Sequence, residues 1–166
     1  MDLESDRLIY RQLTEADYQL YLTMATNGAV MRYITGKSLT NFEARERFKS
    51  MIDCNEKYSD FGFYTIRHKM DRSFVGLGKL VVINEKVAEI GYSLLPDFWG
   101  NKYATEIAGL FIDYAKNTAA ILELIAFVNP QNIASKKLLA KYGFSWLETG
   151  FLNEQPTEIH QLKILK

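Results

Sequence analysis

The residues best placed to do chemistry lie between Val87 and Phe144, and they centre on the junction Leu94-Leu95-Pro96-Asp97-Phe98-Trp99-Gly100-Asn101-Lys102-Tyr103-Ala104-Thr105-Glu106. A strand passes here through a tight glycine turn into an amphipathic helix. Backbone N–H groups at a helix start lack intrahelical acceptors and carry partial positive charge, so such a turn forms a seat for a diphosphate. The chemistry this predicts is the binding of a nucleotide-like ligand. Many strand-to-helix turns bind nothing, so the seat gains weight only from the elements around it.

Those elements can be read from periodicity. Ahead of the turn, Val87 to Leu94 alternates: Ala88, Ile90, Tyr92 and Leu94 point to one face, and Glu89, Gly91 and Ser93 to the other, giving a core face and a small polar face. After it, Ala104, Ile107, Ala108, Phe111 and Ala115 recur at helical spacing as a stripe of mostly small side chains that can approach a sheet closely. Ile121 to Val128 reads as a short buried strand. Asn129-Pro130-Gln131-Asn132 then introduces a helix with Ala134, Leu138 and Tyr142 on its inner side, closed by Gly143 with Phe144 as its apolar partner.

The first half supplies the rest of the domain. Leu8 to Leu13 is a predicted strand, Thr14 and Asp17 signal a helix start, and Gly28 is predicted to end that helix. Phe42 to Lys57 reads as a second amphipathic helix with Ala44, Phe48, Met51 and Ile52 inside. Gly62 to His68, Phe74 to Ile83 and Val87 to Leu94 form an antiparallel meander, and strands near Ser145 to Gly150 and Glu158 to Ile164 complete the chain. The predicted fold class is α+β, or mixed α/β, with helices on both faces of a mixed sheet.

Composition narrows the options. A chain of 166 residues, 48% hydrophobic and 13% aromatic, has enough apolar material for one full core, and we expect a single domain over 1–166. Twenty basic and twenty acidic residues, interspersed, give a net charge of zero, which argues against nucleic acid or an anionic membrane as partner. The acidic opening segment Met1 to Arg7 has no apolar stretch, and no apolar run reaches the roughly 20 residues of a membrane span. The expectation is a soluble, cytoplasmic protein. Cys54 reads as a semi-buried structural thiol, and His68, His160 and Cys54 lack metal-ligand spacing, so no metal is expected. No Gly-x-x-x-x-Gly-Lys-Ser/Thr run occurs, which disfavours a P-loop.

Five segments in order resemble the GNAT superfamily of N-acetyltransferases, and within it the RimJ/RimL-like branch acting on ribosomal proteins and small amines. They are Ser5 to Leu13, Ala88 to Leu94, Phe98 to Glu106, Asn129 to Ser135 and Lys141 to Phe144, so the resemblance covers nearly the whole chain. It implies a mixed, mostly antiparallel sheet of about seven strands in which two parallel neighbours splay apart. Acetyl-CoA would lie in the resulting V as cosubstrate, its pantetheine pairing with backbone from Tyr92 through Leu94 to Leu95. Its pyrophosphate would sit on Trp99, Gly100, Asn101, Lys102, Tyr103, Ala104 and Thr105. Asn132 and Ser135 match positions near the pantetheine and thioester, and Asn132 is equally a helix N-cap.

The implied reaction moves an acetyl group to a primary amine. Such an amine is mostly protonated at neutral pH, so a carboxylate must attract and deprotonate it, and Glu89 on the polar face of its strand is the candidate base. The family's usual Tyr acid is replaced by Leu139, which leaves Ser135, or a water, to protonate the thiolate, while the register of Tyr142 suggests core packing. A second departure is Lys102 where the family has Gly: a Cβ there restricts positive φ and crowds the phosphates, although the ammonium could contact them. Lys136, Lys137 and Lys141 form a basic face that reads as solvated or as facing the 3′-phosphate. The acceptor should be recognised by Met31 to Thr40, by Asp60 to Tyr64 and by Thr149 to Glu158, in a monomer or homodimer. A non-catalytic acyl-CoA-binding module is the alternative, and release of free thiol separates the two.

Overall fold

The structure, a computed structural model, describes residues 3–165, so Met1, Asp2 and Lys166 lie outside it. Its strands are β1 (Leu3–Glu4), β2 (Leu8–Gln12), β3 (Gly62–His68), β4 (Phe74–Asn84), β5 (Val87–Leu94), β6 (Glu123–Val128), β7 (Ser145–Leu152) and β8 (Gln155–Lys163). The helices are α1 (Tyr18–Ala25), α2 (Gly28–Met31), α3 (Asn41–Asn55), α4 (Tyr103–Asn117) and α5 (Ile133–Lys141). One eight-stranded sheet runs in the order β1-β2-β3-β4-β5-β6-β8-β7. Every neighbouring pair is antiparallel except β5 and β6. The eighth strand is β1, two residues added at the edge by the Leu3–Tyr10 and Glu4–Ile9 pairs, too short to leave a period-two signal in the sequence.

Two apolar layers sandwich the sheet. On one face Leu80, Ala88, Ile90 and Leu124 meet Ile107, Ala108 and Phe111 of α4 and Leu139 of α5. Residues as fully buried as Ile107, Phe111 and Leu124 each contribute roughly 1.5–3 kcal/mol by leaving water. Gly78 allows this contact, because a Cβ there would stand 2.7 Å from the Phe111 ring. On the other face Leu13 and Leu77 pack under α1 and α3 through Tyr21, Met24, Ala44, Phe48, Met51 and Ile52, so the inner stripe read for α3 is correct.

Two local expectations change. Gly28 does not end the first helix: α1 stops at Ala25, and Gly28 opens α2 behind Asn27, whose side chain accepts from the N–H groups of Ala29 and Val30. An Asn directly before the glycine supplies a cap, which makes that point a start. On α5, Leu138 and Tyr142 pack partly buried against the core as read, but Ala134 is exposed and the fully buried side chain is Leu139. The chain thereby fills with an aliphatic side chain the place where the family pattern has a Tyr.

Candidate active site

The parallel register of β5 and β6 covers Val87–Glu123, Ala88–Leu124 and Glu89–Ile125, and then stops. From Ile90 onward the β6-facing edge of β5 has no strand beside it, while β6 stays paired to β8 as far as Val128 and Glu158. The two strands therefore open into a V whose apex is at Glu89 and Ile125. Unpaired backbone along one arm is a row of donors and acceptors ready for an extended amide-bearing ligand.

Glu89 and its neighbours stand on the α1–α3 side of the apex. Cross-strand pairing sets Lys79 opposite Gly91 and Val81 opposite Glu89, so the lysine lies diagonal to the glutamate on one face. Lys79 donates from Nζ to Glu89 Oε1, and Glu89 is buried, at 8% exposure. The small polar face read from alternation holds a buried ion pair, whose lysine the alternation of β5 does not reveal because Lys79 lies ten residues away on another strand. Phe63 lies under the ammonium, its centroid 5.6 Å from Nζ. Cys54 is half-buried, its thiol pushed up by burial, as befits a structural residue.

Across the V, on the α4–α5 side, the hydroxyl of Tyr92 lies 2.9 Å from that of Ser135. Burial pushes the Tyr92 phenol above its ordinary range, with the Ser135 hydrogen bond pulling the other way. This pair joins β5 to the first turn of α5. Ser135 is aimed by its helix start: Asn132 caps α5, its side-chain oxygen accepting from Ser135 N–H at 3.2 Å. The inward register that Tyr92 shares with Ile90 and Ala88 places its side chain on this face, and its Ser135 partner comes from another element.

The turn beyond β5 is stiff. Leu95 N–H donates to Val75 O and Trp99 Nε1 donates to Leu94 O, so these two sites of the strand end are already engaged. Asn101 Nδ2 donates to Trp99 O. Gly100 takes φ 76° and Lys102 φ 62°, both left-handed, with open space where a Cβ on Gly100 would fall. Lys102 thus adopts the conformation that glycine enters freely. Among the described residues, no backbone N–H from Gly100 to Thr105 donates to the chain, and the helical pattern begins with Glu106 N–H to Lys102 O. Six free donors follow one another around a left-handed bend and a helix start, a concavity that suits phosphate oxygens.

Glu106 anchors that seat. Its carboxylate accepts from Ser5 Oγ at 2.6 Å, Arg7 N–H at 2.8 Å and Arg7 Nε at 2.8 Å. Burial pushes this carboxyl up, but the hydrogen bonds from Ser5 and Arg7 outweigh it and hold the group below its usual range. Arg7 also donates to Asn101 O and lies 4.1 Å above the Tyr103 ring. From the other side Tyr142 donates its hydroxyl to Thr105 O, the packing role its register suggested. Ala104 packs against the α4-side core.

The acceptor-side readings divide. Phe61 and Tyr64 face the α4-side core, and only Phe63 looks toward Glu89. Gly36, in the 32–40 loop, lies so close to the β7–β8 turn that a Cβ would meet the Gln155 side chain at 2.6 Å. Lys136 is not part of a solvated face: it bonds Glu158 Oε1 at 2.9 Å, and His160 Nε2 lies 2.8 Å from Glu158 Oε2. These two contacts hold the Glu158 carboxyl below its usual range. Lys137 and Lys141 are exposed. No group of His, Cys, Asp or Glu able to hold a metal occurs among the described residues, and no described helix is long and apolar enough to cross a membrane.

A splayed parallel pair with a helix-start anion seat beside it defines a class of fold, and sequence comparison agrees. The family model for the acetyltransferase (GNAT) domain matches residues 7–145, and the chain belongs to that family of transferases. A curated relative, the uncharacterized N-acetyltransferase YoaA of Bacillus subtilis (strain 168), is 30% identical over 162 residues, covering 86% of this chain and 81% of its own. Among solved structures, RimL, the ribosomal L7/L12 alpha-N-protein acetyltransferase in complex with coenzyme A, superposes with a TM-score of 0.81 at 16% identity, covering 99% of this chain and 98% of its own. Spermidine N-acetyltransferase from Vibrio cholerae, in complex with CoA and spermine, gives 0.76 at 17% identity and covers 95% of each chain. At these identities the two structures speak to the fold.

Proposed function

We propose that the chain, acting as one domain over 1–166, transfers an acetyl group from acetyl-CoA to a primary amine by direct attack on the thioester. The acceptor is a protein N-terminal α-amino group or a small-molecule amine. The observation that carries this reading is the V at Glu89 and Ile125, with a carboxylate at its apex, a hydroxyl pair across it and six free N–H donors beside it. The RimL and spermidine N-acetyltransferase complexes with CoA support the cosubstrate. Such a reaction belongs to the cytoplasm, where acetyl-CoA is made and used.

Gly100 to Thr105, with Lys102, grip the diphosphate. The free edge of β5 between Ile90 and Ser93 holds the pantetheine arm, and Asn132 and Ser135 border its reactive end. Glu89 draws in the acceptor as its ammonium, as it already accepts from the primary ammonium of Lys79, and removes a proton directly or through water. The freed amine attacks the carbonyl carbon, the C–S bond breaks, and the second nitrogen proton reaches the sulfur through Ser135 and Tyr92. Gathering the reactants along rigid strands supplies the positional part of the rate. The contact of the 32–40 loop with Gln155 shapes the acceptor's entrance.

A non-catalytic acyl-CoA binder would need the two family departures to disable the site. Lys102 nevertheless adopts the required backbone, and the Tyr92–Ser135 pair offers hydroxyls that Leu139 cannot. The test is release of free thiol from acetyl-CoA with a panel of amines and N-terminal peptides. Turnover that falls about 10²–10⁴-fold in Glu89→Gln, with folding and CoA binding retained, is expected for loss of a general base. CoA binding with no thiol release from any amine would leave the binder reading.

A further inference from the structure

The carboxylate at the apex of the V already holds a primary amine, and that amine belongs to the chain. Lys79 donates from Nζ to Glu89 Oε1. Register puts it there: Lys79 pairs with Phe63 on one side and Gly91 on the other, while Val81 pairs with Glu89, so Lys79 and Glu89 are diagonal neighbours on one face of the β4–β5 pair. The Phe63 ring supports the ammonium at 5.6 Å. The two partners are not closed off equally. The side chain of Glu89 is 10% exposed and that of Lys79 29%, so the amine remains reachable where its carboxylate partner is enclosed.

A general base works on the nitrogen within hydrogen-bond reach of it, or one water away, because only there can the proton pass as the new bond forms. Lys79 Nζ meets that condition as the chain folds. It also resembles the acceptor in kind, a primary ammonium that must lose a proton before its nitrogen can attack a thioester. The other lysines are placed differently. Lys69 is held by Glu4 and Lys136 by Glu158, while Lys137 and Lys141 lie exposed on α5. Tethering at the base gives Lys79 an effective concentration that none of these shares.

We propose that the chain acetylates its own Lys79 when acetyl-CoA is bound and no amine occupies the site, an inference that rests on the V seating acetyl-CoA with Glu89 as its base. Glu89 takes one proton from the ammonium, the freed nitrogen pair forms a bond to the carbonyl carbon, and the C–S bond breaks with its electron pair left on sulfur. A second nitrogen proton reaches that sulfur through Ser135 and Tyr92, the third stays on the new amide, and Glu89 returns its proton to solvent. The products are acetyl-lysine and coenzyme A as free thiol. An amide nitrogen has no pair free to attack again, so the event happens once per chain. The neutral acetamide then lies over Phe63 where an ammonium stood, and it ends the ion pair with Glu89.

The test is to incubate the full chain with acetyl-CoA alone, without added amine, and to follow intact mass, free thiol and the modified peptides. One acetyl group per chain is expected, on Lys79, matched by one thiol, and formed about tenfold or more faster than any acetylation of Lys137 and Lys141. Glu89→Gln should slow the reaction at Lys79 by about 10²-fold or more and leave Lys137 and Lys141 as they were. Lys79→Arg, which keeps a cation beside Glu89 but has no primary amine, should abolish both the added mass and the thiol released without amine. Release of thiol with an added amine while Lys79 stays unmodified would overturn this inference and leave the transferase reading standing. Acetylation of Lys79 no faster than that of Lys137 and Lys141, or equally fast in Glu89→Gln, would also overturn it, as modification by acetyl-CoA in solution. A chain that releases no thiol with any amine and gains no acetyl group would overturn both.

Discussion

Lys102 offers the sharpest test of the coenzyme seat, because its side chain and its backbone conformation can be separated by two substitutions. It stands at φ 62° and ψ 14° immediately before α4. A non-glycine residue there costs about 1–2 kcal/mol relative to right-handed backbone. Lys102→Gly removes that cost but frees the unfolded chain by about 0.4–1 kcal/mol, so the net gain is ~0.5–1 kcal/mol. At this chain length that is a rise in Tm of about 1–4 °C. Lys102→Ala keeps the Cβ and should not share the gain. For binding, both variants lose an exposed ammonium worth about 0.5–1 kcal/mol toward phosphate, a two- to fivefold loss in affinity. Glycine alone also removes the Cβ that crowds the phosphates, so its affinity should fall between that of Ala and that of the wild-type chain. Scanning calorimetry and titration with coenzyme A measure the two quantities independently. If both variants bind coenzyme A as the wild type does, position 102 is outside the seat; if glycine melts no higher than alanine, the backbone argument is wrong.

Three further outcomes follow from the same contacts. Tyr92→Phe and Ser135→Ala should each lower kcat about tenfold or more with little change in coenzyme A affinity, and the double variant should lose much less than the product of the two, because one hydroxyl pair is removed either way. Glu106→Gln should cost about 2 kcal/mol, or roughly 4–8 °C in Tm, by weakening the charge-assisted bonds to Ser5 and Arg7. Since the folded Glu106 carboxyl lies below its unfolded value, that stability is present above about pH 4.5 and disappears as the pH falls through the folded value, so the wild type and the variant should converge in acid. Tyr10, Tyr21, Tyr64 and Tyr92 all have phenols raised by burial, so their stabilisation is complete below pH 10 and should be lost progressively above it, seen as a denaturation midpoint that falls while tyrosinate absorbance rises.

Local order along the chain was legible because each device lies within a few residues of what it controls. Alternation from Val87 to Leu94 identified both faces of β5, the Asn132 cap and the Gly143 stop bracketed α5, and the Trp99 to Thr105 turn appeared with its free amides. Errors arose where a neighbour decided the outcome. Gly28 reads as a stop, but Asn27 before it caps a new turn, and on α5 Leu139 joins Leu138 and Tyr142 against the core while Ala134 stays exposed, because the sheet beneath the helix chooses the contacts.

What the amino-acid order determined by itself was therefore the kind of element at most positions, the faces of β5 and the tight turn with free amides that follows it. Only the tertiary structure decided the partners. Lys79 meets Glu89, Tyr92 meets Ser135, and Glu106 gathers Ser5 and Arg7. Helical and strand periods specify a direction from the local axis, whereas a contact between strands depends on sheet order and register, which the whole core sets together. The candidate site is assembled from such contacts, joining residues up to 101 positions apart.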